Sequence, residues 1–171
     1  MPGKGEIELT GKLGEVMKES AMAGIRYIRS IAPRYKIDSK YFKENDFHIH
    51  IPEGAVPKDG PSAGITMATA VLSAITDTPV KAKVAMTGEI TLRGRVLPIG
   101  GLKEKLLAAK MAGITTVLVP EKNDKDVAEI SEEIKSGMDI CFVGSMDDVI
   151  PLAFTREIKT TKTTRATAAK K

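Results

Sequence analysis

Gly60-Pro61-Ser62-Ala63-Gly64 is followed at once by an apolar run of helical spacing, and this junction decides how the neighbouring elements are interpreted. The apolar members of the run are Ile65, Met67, Ala68, Val71, Leu72 and Ile75. Their spacing predicts a helix that carries Ser62 in its first turn and continues to about residue 76. A hydroxyl placed there, between glycines that do not crowd it, is suited to act as a nucleophile or to contact a phosphate.

Strands and helices alternate on both sides of this junction. Strands are predicted at 5–10, 47–51, 83–86, 116–120 and 140–143, with a hairpin over 89–98 that turns at Gly94. Further helices are predicted at 13–31, 102–111, 123–134 and 146–154. Residues 35–45 and 52–61 are predicted as loops. This order predicts one domain of the α/β (α+β) class.

The composition is that of an ordinary globular domain. The chain has 171 residues, of which 42% are hydrophobic, and no apolar run is long enough to span a membrane. The single cysteine, Cys141, leaves no internal disulfide, so a reducing, cytoplasmic setting is expected. Cys141 itself is predicted to be a buried apolar residue.

The formal net charge of +4 is concentrated at the C-terminus. Residues 155–171 carry six basic side chains and one acidic one, a net charge of +5, which leaves −1 for the rest of the chain. This distribution does not provide the compact basic face that binds nucleic acid. The segment is predicted to be a disordered extension.

The position of the histidines decides which base can accompany Ser62. The pentapeptide fits the G-x-S-x-G pattern of α/β-hydrolases, in which the catalytic histidine follows the serine. Both histidines of this chain, His48 and His50, precede it, so a lysine becomes the leading candidate for the base. The two histidines share one face of a strand and are too few for a closed zinc site. They are interpreted as structural, or as one wall of a groove.

Lys105 is the lysine that the sequence favours. It lies in the first turns of the helix that begins after Gly100-Gly101, on a face shared with three alanines. Such small neighbours allow another element to approach closely, which predicts that the amine is kept from water. Burial and the positive end of a helix both favour the uncharged amine that a general base requires. Thr87, at the end of the 83–86 strand, can accept a hydrogen bond from that amine and orient it.

Two other interpretations of the junction stay open at this point. Ser62 can simply cap a helix. Alternatively, the backbone N–H groups of Gly60, Ser62 and Gly64 can bind an anion such as a phosphate. The chain contains no G-x-x-x-x-G-K-[ST] sequence, so the P-loop form of such a site is excluded.

Three motifs, in one order, resemble the Lon protease family. They are PKDGPSAG at 57–64, TGEITLRG at 87–94 and LPIGGLKEK at 97–105. The similarity extends from about residue 5 to residue 154, and the unbroken first motif is most similar to the bacterial, soluble (A-type) form. The resemblance implies a single-domain Lon-type proteolytic fold, with mixed sheets and packed helices.

The resemblance also implies a chemistry. Ser62 would be the nucleophile and Lys105 the general base of a Ser–Lys dyad, with Thr87, Asp59, Gly60 and Pro61 in supporting positions. The domain would be a serine endopeptidase that degrades unfolded or damaged proteins as part of a homohexameric ring. It would need no metal or organic cofactor for this step, since ATP and Mg²⁺ would be used by an ATPase module that this chain lacks.

The expected boundaries follow from the same comparison. Residues 1–4 are interpreted as an added start or linker, 5–154 as the proteolytic domain and 155–171 as the basic tail. The loop from Gly54 to Gly60 borders the nucleophile and is expected to gate activity with ring assembly. The alternative is an anion-binding or ring-forming scaffold module without peptidase activity, and no membrane or nucleic-acid site is expected.

Overall fold

A computed structural model describes residues 1–52 and 56–160. The strands are β1 (Ile7–Thr10), β2 (Phe47–His50), β3 (Val84–Met86), β4 (Glu89–Ile90), β5 (Val96–Leu97), β6 (Thr116–Pro120) and β7 (Asp139–Val143). The α-helices are α1 (Glu15–Ile31), α2 (Tyr41–Glu44), α3 (Gly64–Thr76), α4 (Leu102–Met111), α5 (Asp124–Glu129), α6 (Glu132–Lys135) and α7 (Met146–Ala153). Short 3₁₀ turns cover Ala32–Tyr35 and Glu121–Asn123. The predicted single-domain α/β class is confirmed.

The strands form three small sheets of mixed type. β1 pairs with β2 in parallel, with Ile7 opposite Phe47. β3, β6 and β7 form a parallel sheet with β6 in the centre. β4 and β5 form an antiparallel hairpin, as predicted for the segment around Gly94. The parallel connection from β3 to β6 contains the β4–β5 hairpin and α4, the helix that carries Lys105.

The central strand β6 divides the hydrophobic core into two parts. Its run of apolar residues is buried on both faces, which is typical of a parallel strand covered by helices on each side. Leu118 belongs to the larger cluster, which includes α1, α3 and α7. Val117 and Val119 belong to the second cluster, which includes Leu102 and Leu106 of α4. The three-stranded sheet therefore lies between α3 and α4, the two helices nearest to the candidate site.

Helices α1 and α3 pack closely along their small residues. Gly24 of α1 faces Ala68 of α3, and a Cβ built on Gly24 would lie 3.3 Å from the Cβ of Ala68. Ile28 and Ile65 are fully buried in the same cluster. This contact fixes α3 against the N-terminal helix, and it fixes the start of α3 as well.

Two segments differ from the sequence prediction. The predicted loop at 35–45 contains α2, because Phe42 is buried and stacks on Phe47 with ring centroids 5.5 Å apart. The predicted helix at 123–134 is two short helices, since the backbone of Ile130 becomes extended and its side chain is buried in the second core cluster. In both segments burial of one side chain outweighs the local pattern.

Both ends of the described chain pack onto the domain. The amide of Gly3 donates to the carbonyl of Glu44 at 2.8 Å, so residues 1–4 contact the segment before β2. At the other end, Thr155 donates to the carbonyl of Pro79 at 3.0 Å, and Ile158 is buried. The ordered packing thus continues into the segment assigned to the tail, of which residues 161–171 lie outside the described part. No helix of the described ranges is long and apolar enough to cross a membrane.

Candidate active site

Ser62 lies in a turn immediately before α3, and not within the first turn of the helix as predicted. The amide of Gly64 donates to the carbonyl of Pro61 at 3.0 Å, which closes this turn around Ser62 and Ala63. Helical geometry begins only at Gly64. The half-buried Ser62 side chain therefore lies at the N-terminal end of α3 without being part of the helix.

The segment 58–63, here termed the serine loop, is held on one side by the N-terminal half of α1. The carboxylate of Asp59 accepts hydrogen bonds from the amides of Met17 and Gly60, at 3.0 and 2.8 Å. Gly60 has a φ of +115°, a conformation that requires glycine. The hydroxyl of Ser20 donates to the carbonyl of Pro61 at 3.1 Å.

Ser20 is a residue that the sequence analysis missed. It is 6% exposed and lies among the buried small and apolar residues of α1. A serine on the buried face of an amphipathic helix needs a hydrogen-bond partner, and this requirement was the available signal. The identity of the partner depends on tertiary packing, which the sequence does not reveal.

On its other side the serine loop is held by the segment after β3. The amide of Gly88 donates to the carbonyl of Ser62 at 2.8 Å, and the hydroxyl of Thr87 donates to the same carbonyl at 3.2 Å. The amide of Ile65 in turn donates a hydrogen bond to the carbonyl of Gly88 at 3.2 Å. Thr87 was expected to orient the lysine amine, but its hydrogen bond positions the backbone of the serine.

The structure brings Lys105 to Ser62. Helix α4 begins after Gly101, whose φ of +66° sets the entry angle of the helix. One turn later, the Nζ of Lys105 donates to the Oγ of Ser62 at 3.4 Å. This contact joins two residues that are 43 positions apart in the sequence.

The expected shielding of Lys105 from water is wrong for the free chain. Lys105 is exposed, because α4 buries a different stripe, formed by Leu102, Leu106 and Ala109. The three alanines that share a face with Lys105 do not all become buried, since Ala108 and Ala112 are exposed as well. The amine thus lies at the edge of the helix interface and not inside it.

A cavity of about 370 Å³ opens beside the hydroxyl and the amine. Ser62, Thr87 and Lys105 line it together with mainly apolar residues from β3, α4 and β6. The larger apolar side chains are Met86, Leu102, Leu106, Ile114 and Val117. A space of this size and character can hold an apolar side chain next to the serine oxygen.

Two backbone amides at the start of α3 are available for a ligand. Within 1–52 and 56–160, the amides of Ser62 and Ala63 have no hydrogen-bond acceptor, whereas those of Gly64 and Ile65 are paired. Unpaired amides at the N-terminal end of a helix can bind an anion or stabilise developing negative charge on an oxygen.

The histidines lie on a separate surface. His48 and His50 are exposed on β2, and both rings hydrogen-bond the hydroxyl of Thr10, at 2.8 and 2.7 Å. Neither lines the cavity beside Ser62. Their contacts join β2 to β1, which agrees with a structural interpretation. Cys141, expected to be buried, is half-buried on β7, where burial and the nearby Asp139 raise the pKa of its thiol.

These features define a single α/β domain in which a serine hydroxyl and a lysine amine meet beside an apolar cavity. The family model described as "Lon protease (S16) C-terminal proteolytic domain" matches residues 1–156, and the chain belongs to this family. The resemblance of the three motifs is therefore confirmed. The description of the family places such domains at the C-terminal, proteolytic part of Lon proteases.

Curated relatives support the same conclusion. The chain is 68% identical over 150 residues to the Lon protease of Lachnoclostridium phytofermentans, covering 88% of this chain and 18% of that protein. It is 63% identical over 153 residues to the Lon protease of Clostridioides difficile, covering 90% and 19%. It is 56% identical over 157 residues to that of Brevibacillus choshinensis, covering 92% and 20%. The chain thus spans about a fifth of the length of these relatives.

Proposed function

We propose that this domain is a serine endopeptidase that uses Ser62 as the nucleophile and Lys105 as the general base. The observation that carries the proposal is the 3.4 Å contact between the lysine Nζ and the serine Oγ, at the wall of an apolar cavity. A nucleophile within hydrogen-bond reach of its base is the arrangement that covalent catalysis requires.

The steps are those of acyl transfer. The uncharged amine of Lys105 takes the proton of the Ser62 hydroxyl while the Oγ bonds to the scissile carbonyl carbon. The resulting ammonium returns the proton to the leaving amine as the C–N bond breaks, which leaves an acyl-enzyme. The same lysine then takes a proton from the water that attacks the ester carbon, and returns it to the Oγ of Ser62 as the C–Oγ bond breaks and the acid product leaves. The free amides of Ser62 and Ala63 are our candidates for stabilising the oxyanion.

Substrate binding would complete the site. In the free chain the amine is open to water, and a side chain seated in the cavity would cover it from one side. Loss of water favours the uncharged amine, so binding and base activation would be coupled. Assembly would add further cover, since we propose that the domain works within a homohexameric ring, on unfolded or damaged proteins that an ATPase module delivers. The cytoplasmic setting stays a prediction.

The test is cleavage of an unfolded polypeptide together with capture by a small fluorophosphonate. Ser62→Ala should abolish both, and Ser39→Ala, which removes an exposed serine remote from the cavity, should change neither. Lys105→Gln should lower both rates, while Lys103→Gln, two residues away on the same helix, should not. Undiminished cleavage by Ser62→Ala would refute the proposal. Nucleotide binding by calorimetry without covalent capture would instead favour the anion-binding alternative.

A further inference from the structure

One buried side chain, that of Asn123, hydrogen-bonds the segment that leads into α4. It lies in the 3₁₀ turn that follows β6 and is 2% exposed. Its Nδ2 donates to the carbonyl of Ile99 at 2.9 Å, and its Oδ1 accepts from the amide of Ile99 at 3.0 Å. The second hydrogen of Nδ2 is used by the carboxylate of Asp126. All hydrogen-bonding groups of this amide except one lone pair are therefore engaged.

The pairing with Ile99 replaces a strand partner. β5 ends at Leu97, and the backbone of Ile99 then finds in the Asn123 side chain the donor and acceptor that a neighbouring strand would otherwise supply. A buried side chain that hydrogen-bonds both the N–H and the C=O of one residue restricts both the position and the orientation of that residue.

The two glycines between Ile99 and α4 lie in open surroundings. A Cβ built on Gly100 would meet nothing within 4 Å, and one built on Gly101 would meet only an exposed glutamate. The helix then packs through apolar side chains, and hydrophobic burial is non-directional. We therefore expect the hydrophobic stripe to set which face of α4 is buried, and Asn123 to set the position of the helix along its axis.

We propose that Asn123 is a positioning residue for the lysine of the catalytic pair. This inference rests on the proposed function, because it acts through Lys105, which follows Ile99 by six residues. A displacement of reacting groups by about 1 Å can lower a rate by about 100-fold. Since the Nζ–Oγ contact is already 3.4 Å long, a small shift of α4 would break it. Asn123 does not touch the cavity, so substrate affinity should change little.

Asn123→Asp is the first variant. It keeps the volume and the acceptor, but it loses the Nδ2 donors to Ile99 and Asp126 and adds a carboxylate beside that of Asp126. We expect the maximal rate of Ser62 acylation by a fluorophosphonate to fall about 10- to 100-fold, with the half-saturating concentration unchanged. Asn123→Ser is a second variant, which is too short to reach Ile99 but is well suited to the start of α5. Should Asn123→Asp fail to fold, the Asn123→Ser result decides.

Val127→Ala is the matched control, since Val127 lies in α5, close to Asn123 in the chain, and is buried in the second core cluster, and its apolar side chain cannot hydrogen-bond the backbone of Ile99. Even if Val127→Ala lowers the melting temperature as much as Asn123→Asp does, it should retain the wild-type acylation rate. In a Lys105→Gln background, Asn123→Asp should have no further effect. A rate within twofold of wild type in the Asn123 variants, or an equal loss in Val127→Ala, would overturn the inference.

A measurement independent of activity separates this inference from the proposed function. If the wild-type chain is not acylated at Ser62, the proposed function fails, and a crystal structure of Asn123→Asp still decides the role of Asn123. A displaced start of α4, with the Nζ–Oγ distance lengthened, supports the inference. An unmoved helix overturns it.

Discussion

Gly64→Ala tests whether the start of α3 is as tightly enclosed as the structure indicates. A Cβ on Gly64 would lie 2.7 Å from the Oγ of Ser20, 2.8 Å from the Cγ2 of Ile90 and 2.9 Å from the amide nitrogen of Ile90. The serine hydroxyl can rotate away, but the backbone nitrogen belongs to β4 and cannot move without the hairpin. The added methyl group must therefore displace the helix or the strand.

The magnitude follows from two opposing effects. Forcing an extra methyl group into a packed interior costs about 1–3 kcal/mol. Replacing glycine by alanine inside a helix stabilises the fold by about 0.5–1 kcal/mol, and the stabilisation is smaller at the first helical position. The free energy of unfolding should thus fall by about 1–2 kcal/mol. The acylation rate should fall as well, because the amide of Gly64 closes the turn that contains Ser62.

Urea denaturation and fluorophosphonate labelling measure the two effects. Gly100→Ala is the matched control, since a Cβ there would meet nothing within 4 Å, and its stability should stay within about 0.5 kcal/mol of wild type. If Gly64→Ala were as stable as Gly100→Ala and labelled at the wild-type rate, the described packing of α3 against β4 would be incorrect.

Three further predictions concern stability. Ser20→Ala should lower the free energy of unfolding by about 1 kcal/mol in urea denaturation, because a buried hydrogen bond to the serine loop is lost; an unchanged midpoint would contradict this. Burial raises the pKa of Tyr27 to about 12, so its neutral form stabilises the fold. That contribution is complete below about pH 10, the pKa of a free tyrosine, and is lost as the pH rises towards 12. Tyr27→Phe should therefore flatten the alkaline decline in the urea midpoint, and an identical decline would oppose the assignment. The backbone amides of Glu6 and Lys4 hold the pKa of Asp46 below its usual range, so its contribution is present above about pH 4 and is lost as the pH falls further. Asp46→Asn should be less sensitive to acid between about pH 5 and pH 2 in the same assay, and equal sensitivity would count against this role.

Most elements of the fold could be predicted because their signals are local. The helix at Leu102–Met111 and the strand at Thr116–Pro120 have the predicted bounds, since apolar periodicity and continuous apolar runs report burial directly. The exceptions arise where burial of one side chain outweighs the local pattern. Phe42 forms a helical turn because of its contact with Phe47, and Ile130 interrupts a helix to enter the core.

The sequence predicted which residues form the candidate site better than it predicted how they are arranged. Motifs identified Ser62 and Lys105, which the structure places in contact. The exposure of Lys105 was not foreseen, because the face that α4 buries depends on how the helix docks, and two stripes of the helix contain small or apolar residues. The hydrogen bond of Thr87 and the positions of Ser20 and Asn123 depend on contacts between distant segments, for which the sequence has no local signal.

The central claim is that the amine of Lys105 takes the proton from Ser62, and the pH dependence of Ser62 acylation tests it most directly. In the wild-type chain the rate should rise with pH to a plateau, because only the uncharged amine can accept a proton. Lys105→Gln should lower the rate by about 10²- to 10⁴-fold and remove that rise, and Lys103→Gln should keep the wild-type profile. A Lys105→Gln chain that is acylated at the wild-type rate, with the same dependence on pH, would contradict the account.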